Sequence, residues 1–364
     1  MRVVPLIAAM LVAGAARASS VWDEISVGAA QSTPRNPQAG NVSNLLGVSV
    51  DVTHDWTITG TAQVSVWEAP TAATGAGSNS GGGTVTAFSG GADWYATDNW
   101  AFGATLAVSP ESTITSNSRM TVPLRTQGGE GESTNTRADA FIRAASSYLS
   151  GEFLATYDTA GFSNLEWSFS GAVALSRFAT NQRIESARRL GGSNSAELSN
   201  AQLRSLCAPP SSSCNPYLVA IDGFSDELRS GRLSLSALAT IFHDTDVGLS
   251  ADYYRYFDDP ANVGVYSLPS VGQFGAGAPI APLRFVVRPE VTHRFGPLSL
   301  RLWVQAGEYA ANVGQGTQSI GAKVQYRFSR TFRMWIGASG QRDVGPAGDV
   351  SRLGWVSLGA AYRL

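Results

Sequence analysis

From Val21 onward the chain sets an apolar side chain at nearly every second position, and this period of two decides what it can fold into. In the clearest stretch Ile320, Ala322, Val324, Tyr326 and Phe328 alternate with Ser319, Gly321, Lys323, Gln325 and Arg327. Phe332, Met334, Ile336 and Ala338 alternate with Arg333, Trp335, Gly337 and Ser339. Leu298, Leu300, Leu302 and Val304 do the same with Ser299, Arg301, Trp303 and Gln305. The pattern is already present at Leu46, Val48, Val50 and Val52, and at Ile58, Ala62, Val64 and Val66. On a helix such stripes would smear around the axis, whereas a strand keeps each on one side.

Charge narrows the choice. Charged residues make up 15% of the chain, against about 25% in ordinary soluble domains. Much of the surface is therefore expected to avoid water. No run after the N-terminus approaches the roughly 18 apolar residues of a spanning helix. The other structure that satisfies its backbone inside lipid is a closed β-barrel. The near-neutral balance, 26 basic and 28 acidic residues, excludes the basic stripe of a nucleic-acid binder. Residues 1–18 read as a cleaved signal peptide: Met1-Arg2, an apolar run from Val3 to Ala15, then Ala16-Arg17-Ala18. Residues 19–364 then form a single transmembrane barrel domain.

The expected fold class is all-β, a transmembrane antiparallel up-and-down barrel of about fourteen strands. The strand spans read as 21–31, 45–54, 56–68, 84–97, 99–109, 136–157, 164–180, 230–242, 245–257, 283–295, 298–309, 316–328, 331–342 and 353–364. In the sixth the stripe changes parity between Ala144 and Phe153, which predicts a bulge there. Short turns at His54-Asp55, Thr97-Asp98-Asn99, His243-Asp244-Thr245, Phe295-Gly296-Pro297 and Phe328-Ser329-Arg330 alternate with long segments at 70–83, 110–135, 181–229 and 258–282. Short periplasmic turns and long external loops have this asymmetry. Trp56, Trp94, Trp100, Phe242, Phe295, Phe328, Phe332 and Tyr362 gather beside the short turns, as an interfacial aromatic girdle would.

The chain ends Ser357-Leu358-Gly359-Ala360-Ala361-Tyr362-Arg363-Leu364. Gly359, Tyr362 and the terminal apolar Leu364 resemble the C-terminal β-signal of bacterial outer-membrane barrels, which most often ends in Phe. The resemblance implies insertion into the outer membrane of a Gram-negative bacterium by the barrel-assembly machinery, with membrane lipid and lipopolysaccharide as surroundings. The strand count is similar to that of monomeric fourteen-stranded porins and of the outer-membrane fatty-acid transporters. The latter carry a plug before their first strand; here strand-like sequence begins at Val21, which favours a channel closed, if at all, by its loops.

A charge on the lipid face costs about 2–4 kcal/mol at midplane, so the polar stripe faces inward. The inward set holds an acidic wall of Asp51, Asp93, Asp139, Glu152 and Glu166. Opposite it stands a basic wall of Arg284, Arg288, Arg294, Arg301, Lys323, Arg327 and Arg333, with Glu290 as exception; Arg143 and Arg232 also read as inward. Opposed walls set up a transverse field in a wet pore. The leading expectation is a porin-like channel for small hydrophilic solutes, without cofactor. The alternatives are a substrate-specific conduit for a hydrophobic compound or a polysaccharide, and a closed structural or adhesin barrel.

In the loop at 181–229, Cys207 and Cys214 read as a disulfide clip, as expected of an exported chain. Ser199 and Gln202 suggest a capping box opening a short helix with Leu198, Leu203 and Leu206 near one face. That helix either folds into the mouth or caps it from outside. His54, His243 and His293 fall at or near the short turns, and no nucleophile–base set can be assembled around them, so no catalysis and no metal site are expected.

Overall fold

The computed structural model describes residues 20–32, 39–69, 81–123, 135–162, 165–190, 197–208, 221, 223–260, 282–310, 316–344 and 350–363. The expected signal peptide lies outside the described residues. The elements are β1 (Ser20–Ser32), β2 (Ala39–Asp51), β3 (Trp56–Ala69), β4 (Gly81–Tyr95), β5 (Trp100–Pro123), β6 (Asn135–Phe162) and β7 (Leu165–Leu190). A two-residue β8 (Glu197–Leu198) and α1 (Asn200–Cys207) follow. Then come β9 (Phe224–Ile241), β10 (Thr245–Tyr256), β11 (Leu283–Phe295), β12 (Leu298–Tyr309), β13 (Gly316–Arg327), β14 (Phe332–Val344) and β15 (Val350–Arg363).

Each long strand pairs antiparallel with its neighbours in sequence, except that β7 pairs with β6 and β9. The first strand pairs with the last, Ser20 opposite Arg363 and Ser32 opposite Ser351. The result is a closed barrel of fourteen strands, with β8 a short flap on the outer end of β7. Closure leaves no edge, which is the condition for placing a sheet in hydrocarbon.

The alternation divides inside from outside as expected. Ile25, Val27, Ile58, Leu106, Phe153, Val173, Leu235, Leu249, Ile320, Ile336 and Leu358 are exposed on the outer face. Their sequence neighbours Ser26, Glu24, Thr57, Glu152, Ser236, Ser250, Trp335 and Ser357 share the opposite face. At the short-turn end the girdle forms a chain of ring contacts, Trp56–Trp94 at 6.1 Å, Trp94–Phe102 at 5.9 Å, Trp100–Phe102 at 5.9 Å and Trp100–Tyr157 at 4.8 Å. Phe328 meets Tyr326 at 4.7 Å and Phe332 at 5.6 Å. The three-residue turn between β9 and β10 carries positive φ at Phe242 (53°) and His243 (60°), in the left-handed region that non-glycine residues rarely enter.

Three expectations need correction. The segments 110–135 and 181–229 are not loops throughout, since β5 runs to Pro123, β6 begins at Asn135, β7 runs to Leu190 and β9 begins at Phe224. At ~3.3 Å per residue, strands of 24 to 28 residues are far longer than an apolar band of ~25 Å requires, so β5–β7 project beyond it on the long-loop side. There both faces meet water, and the apolar stripe that marks a strand in lipid is lost. The parity change in β6 is not a bulge between Ala144 and Phe153 on that strand. The irregularities fall at Phe141/Ile142 against β7, and on β5 between Ser109 and Ser112. Arg143 shares the outer face with Leu149 and Phe153 rather than facing in. It stands on the projecting part, where an outward charge is solvated, and its guanidinium lies 3.3 Å from Glu185.

The sidedness gives a direct test. Leu235→Arg, on the lipid face, should lower unfolding free energy by about 2–4 kcal/mol in urea titrations from lipid vesicles. The same change at the inward neighbour Ser236 should cost clearly less.

Candidate functional site

The lumen is asymmetric. Among the described side chains four tryptophans face inward, and each stands directly across a strand pair from a glycine: Trp22 from Gly47, Trp303 from Gly321, Trp335 from Gly359 and Trp355 from Gly28. A Cβ added at Gly47, Gly321, Gly359 or Gly28 would come within 2.0, 2.1, 2.3 or 2.4 Å of the facing indole. The rings therefore lie over bare backbone, an approach that only glycine permits. All four sit on the arc running from β12 through β15 to β2.

The remaining arc is lined mostly by small side chains, with Arg232, Glu152, Tyr148 and Phe178 as the larger members. Hydroxyls pair across strands at Thr61–Ser89 (2.6 Å), Ser170–Ser236 (2.5 Å) and Ser176–Ser230 (2.7 Å). Ala172 and Ala174 lie on the same wall. Bulk thus fills the lumen from one side and leaves the other side low.

The cations belong to the bulky arc. Arg288, Arg294, Arg301, Lys323, Arg327 and Arg333 line its inner face on β11–β14 as expected. Arg284 departs from the set. A bulge between Leu283 and Phe285 gives Leu283 the inward place and leaves Arg284 exposed outside the alternation. Arg301 donates to Glu290 at 2.5 Å, and Arg288 lies 3.7 Å from the same carboxylate. Arg294 binds Asp246, Lys323 lies 4.0 Å from Glu24, and the Trp335 indole N–H donates to Glu24 at 3.0 Å. Lys323 also stands 4.3 Å over the Trp335 ring. On the opposite wall Arg232 binds Glu152, reaching past β7. Counter-charges therefore stand beside the cations. Glu24 and Asp246 are members that sequence reading missed, although alternation with Ile25 and Val247 marks both as inward.

The other acidic positions are scattered. Asp51 accepts a hydrogen bond from Thr57 (2.8 Å) at the short-turn end. Asp93 faces inward over Gly103, and Glu166 is exposed near the rim. The side chain of Asp139 lies outside the described residues. In the C-terminal signal, Gly359 lies under Trp335 and Tyr362 is exposed on the outer face, while Leu364 lies outside the described residues.

Midway up the bulky arc, Arg288, Arg301, Trp303, Gln305, Ser319, Lys323, Ser339, Gln341 and Trp355 line a cavity of about 180 Å³ that opens to the lumen. Above it, toward the long-loop end, Leu283, Val286 and Tyr309 are buried together with Tyr254 against them. The buried Asp343 carboxylate accepts from the Tyr309 hydroxyl at 2.9 Å and from the Gln341 amide at 2.8 and 2.9 Å.

The outer segment settles against the projecting strands. Ser199 and Gln202 form the expected capping box, with bonds of 3.3 and 2.8 Å. The Asn200 amide donates to the Ile184 carbonyl at 3.1 Å. Leu198, Leu203 and Cys207 are buried, as are Ile184, Ala187 and Ala138 on the inward face of β6 and β7. The helix thus lies on the lumen side of the extension. The expected Cys207–Cys214 bridge falls on Cys214, which is outside the described residues. Beside the extension, two guanidinium bonds and a backbone bond from Arg229 hold the Asp258 carboxyl down at about 2. At the opposite end a hydrogen bond to Asp55 raises the His54 imidazole above its ordinary value. His293 bonds Thr245 at 2.7 Å and packs on Phe295. Among the described residues no cluster of three or more metal-ligating side chains occurs.

Three substitutions probe this arrangement. Gly321→Ala should push the Trp303 ring aside and change the near-ultraviolet circular dichroism of the folded barrel, at a cost of about 1–3 kcal/mol. Gly340→Ala, where an added Cβ meets nothing within 4 Å, should leave that spectrum unchanged. Leu203→Ala should cost α1 about 2–5 kcal/mol of local stability and expose the segment to proteolysis in intact cells.

No family model matches the chain, and no curated protein matches it in sequence. Its fold is similar to that of the Pseudomonas putida toluene transporter TodX, with a TM-score of 0.54 and 10% identity over 96% of this chain and 90% of that one. The Ralstonia pickettii toluene transporter TbuX gives 0.54 and 9% over 96% and 90%. A Pseudomonas aeruginosa FadL homologue gives 0.51 and 11% over 95% and 90%. At these identities the likeness is one of fold. Together with the closed ring, the apolar outer face and the girdle, it gives the chain the fold of outer-membrane β-barrels.

Proposed function

We propose that the protein is a substrate-specific outer-membrane transporter that passes small aromatic, largely apolar compounds through its lumen. The observation that carries this reading is the arc of four indoles over glycines, which gives the lumen flat aromatic surface at several heights. Aromatic rings gain from offset or edge contacts with other rings, beyond what burial of their area contributes. The fold likeness to proteins described as toluene transporters supports the same direction. A general porin for hydrophilic solutes, the first expectation from the charged stripe, fits less well. Four of the six cations of that stripe, Arg288, Arg294, Arg301 and Lys323, have carboxylates beside them, and large rings occupy the wall between.

The mechanism needed is modest. An apolar solute entering from the long-loop end passes the indoles along the bulky arc, while the hydroxyl-lined wall opposite holds water. Transport runs down the gradient, since no energy-coupling element is part of this reading. Cells whose outer membrane lacks other aromatic-uptake barrels should take up labelled toluene several times faster when they express the chain. Trp303→Ala combined with Trp355→Ala should remove most of that gain. In liposome swelling with sugars the barrel should stay near the empty-vesicle rate. Fast sugar entry together with unchanged toluene uptake would return the reading to a general porin.

A further inference from the structure

We propose that the cavity bounded by Arg288, Arg301, Lys323, Trp303 and Trp355 is a binding site for a single-ring aromatic carboxylate. This rests on the aromatic-transport reading and extends its substrate class to single-ring aromatics that carry a carboxylate.

Size sets the first limit. A cavity of about 180 Å³ is small beside the usual ~300–1,000 Å³ of drug-sized sites, yet a closed void of ~150 Å³ is enough for benzene. One ring fits. Shape sets the second limit. Trp303 comes from β12 and Trp355 from β15, so indole surface approaches from two sides of the same space. A flat ring is the solute that uses both.

Charge sets the third. Three cations, Arg288, Arg301 and Lys323, border the cavity. Both arginines turn to the single carboxylate of Glu290, at 3.7 and 2.5 Å, and Lys323 has Glu24 at 4.0 Å. Three positive groups thus meet two negative ones. The excess of positive charge favours an anionic solute, and a carboxylate accepts charge-assisted hydrogen bonds from guanidinium and ammonium groups. Gln305, Ser319 and Ser339 add neutral polar groups at the margin. An amine on the same ring would meet like charge instead.

Placement supports the assignment. The cavity lies midway along β12 and β13, and Arg294, Arg327 and Arg333 continue the cationic lining toward the short-turn end. An anion leaving the cavity in that direction stays within reach of positive charge.

The test uses the full chain purified in lipid nanodiscs, with folding checked by heat-modifiable electrophoretic mobility. Benzoate, toluene and benzylamine are titrated calorimetrically. Benzoate should bind at least tenfold more tightly than benzylamine. In Arg301→Gln/Lys323→Gln the benzoate-to-toluene affinity ratio should fall at least tenfold. Ser339→Asp leaves every existing ion pair in place and adds a carboxylate to the cavity margin. It should weaken benzoate by a similar factor, and it decides the matter if the double variant fails to fold. Equal affinity for benzoate and benzylamine, or a benzoate affinity indifferent to Ser339→Asp, would overturn the proposal while toluene binding leaves the transport reading standing. If no ring compound of any charge binds, both fall together.

Discussion

Everything in this molecule depends on the backbone having no unpaired edge. A strand in hydrocarbon has no water to satisfy its amides, and each unmet group costs several kcal/mol. The chain meets this by pairing β1 with β15 along the full length of both. Once the ring is closed, the alternation of side chains follows without further choice. One stripe must match lipid, and the other is released from that demand. The released stripe is where this protein differs from a generic barrel.

That inner stripe is divided by size as well as by charge. Between β3 and β9 it carries mainly alanines and hydroxyls, the hydroxyls bonding to one another close to the wall, with the Arg232–Glu152 pair among them. From β11 round to β2 it carries tryptophans, arginines, a lysine and their carboxylates. The two groups of large residues support each other. Lys323 rests on the Trp335 ring, the Trp335 N–H binds Glu24, and Glu24 in turn neutralises Lys323. Ring orientation and charge placement are thus fixed by the same short network, and the cavity between Trp303 and Trp355 takes its shape from it.

Much of this was legible from residue order. The barrel, its strand count, the girdle and the lumen side of Arg288, Arg294, Arg301 and Lys323 follow from a period of two and the cost of charge in lipid. The capping box at Ser199 and Gln202 followed from local chemistry. What alternation cannot give is the lateral neighbour, because register between strands is not written in either one alone. Hence Glu24 and Asp246 were missed as partners, and the pairing of Trp303 with Gly321 was invisible, although both residues stood plainly in the polar stripe. Arg143 and Arg284 were misplaced for a related reason. One stands on strand that has left the bilayer, and the other beside a bulge, and at neither place does parity report a side. The reach of β5–β7 was underestimated because water on both faces erases the stripe.

The tryptophan–glycine pairs also bear on how the ring comes to close in one register. Three of the four, Trp335 over Gly359, Trp355 over Gly28 and Trp22 over Gly47, fall on consecutive strand pairs around the junction of the chain's two ends. A slip by one residue would turn every side chain of the strand to the wrong face. A slip by two would keep the faces but bring Trp355 opposite Ser26 or Ala30, whose Cβ occupies the place the ring needs. The junction therefore behaves like a toothed fastener, in which bare backbone at one position admits the large ring and its neighbours refuse it.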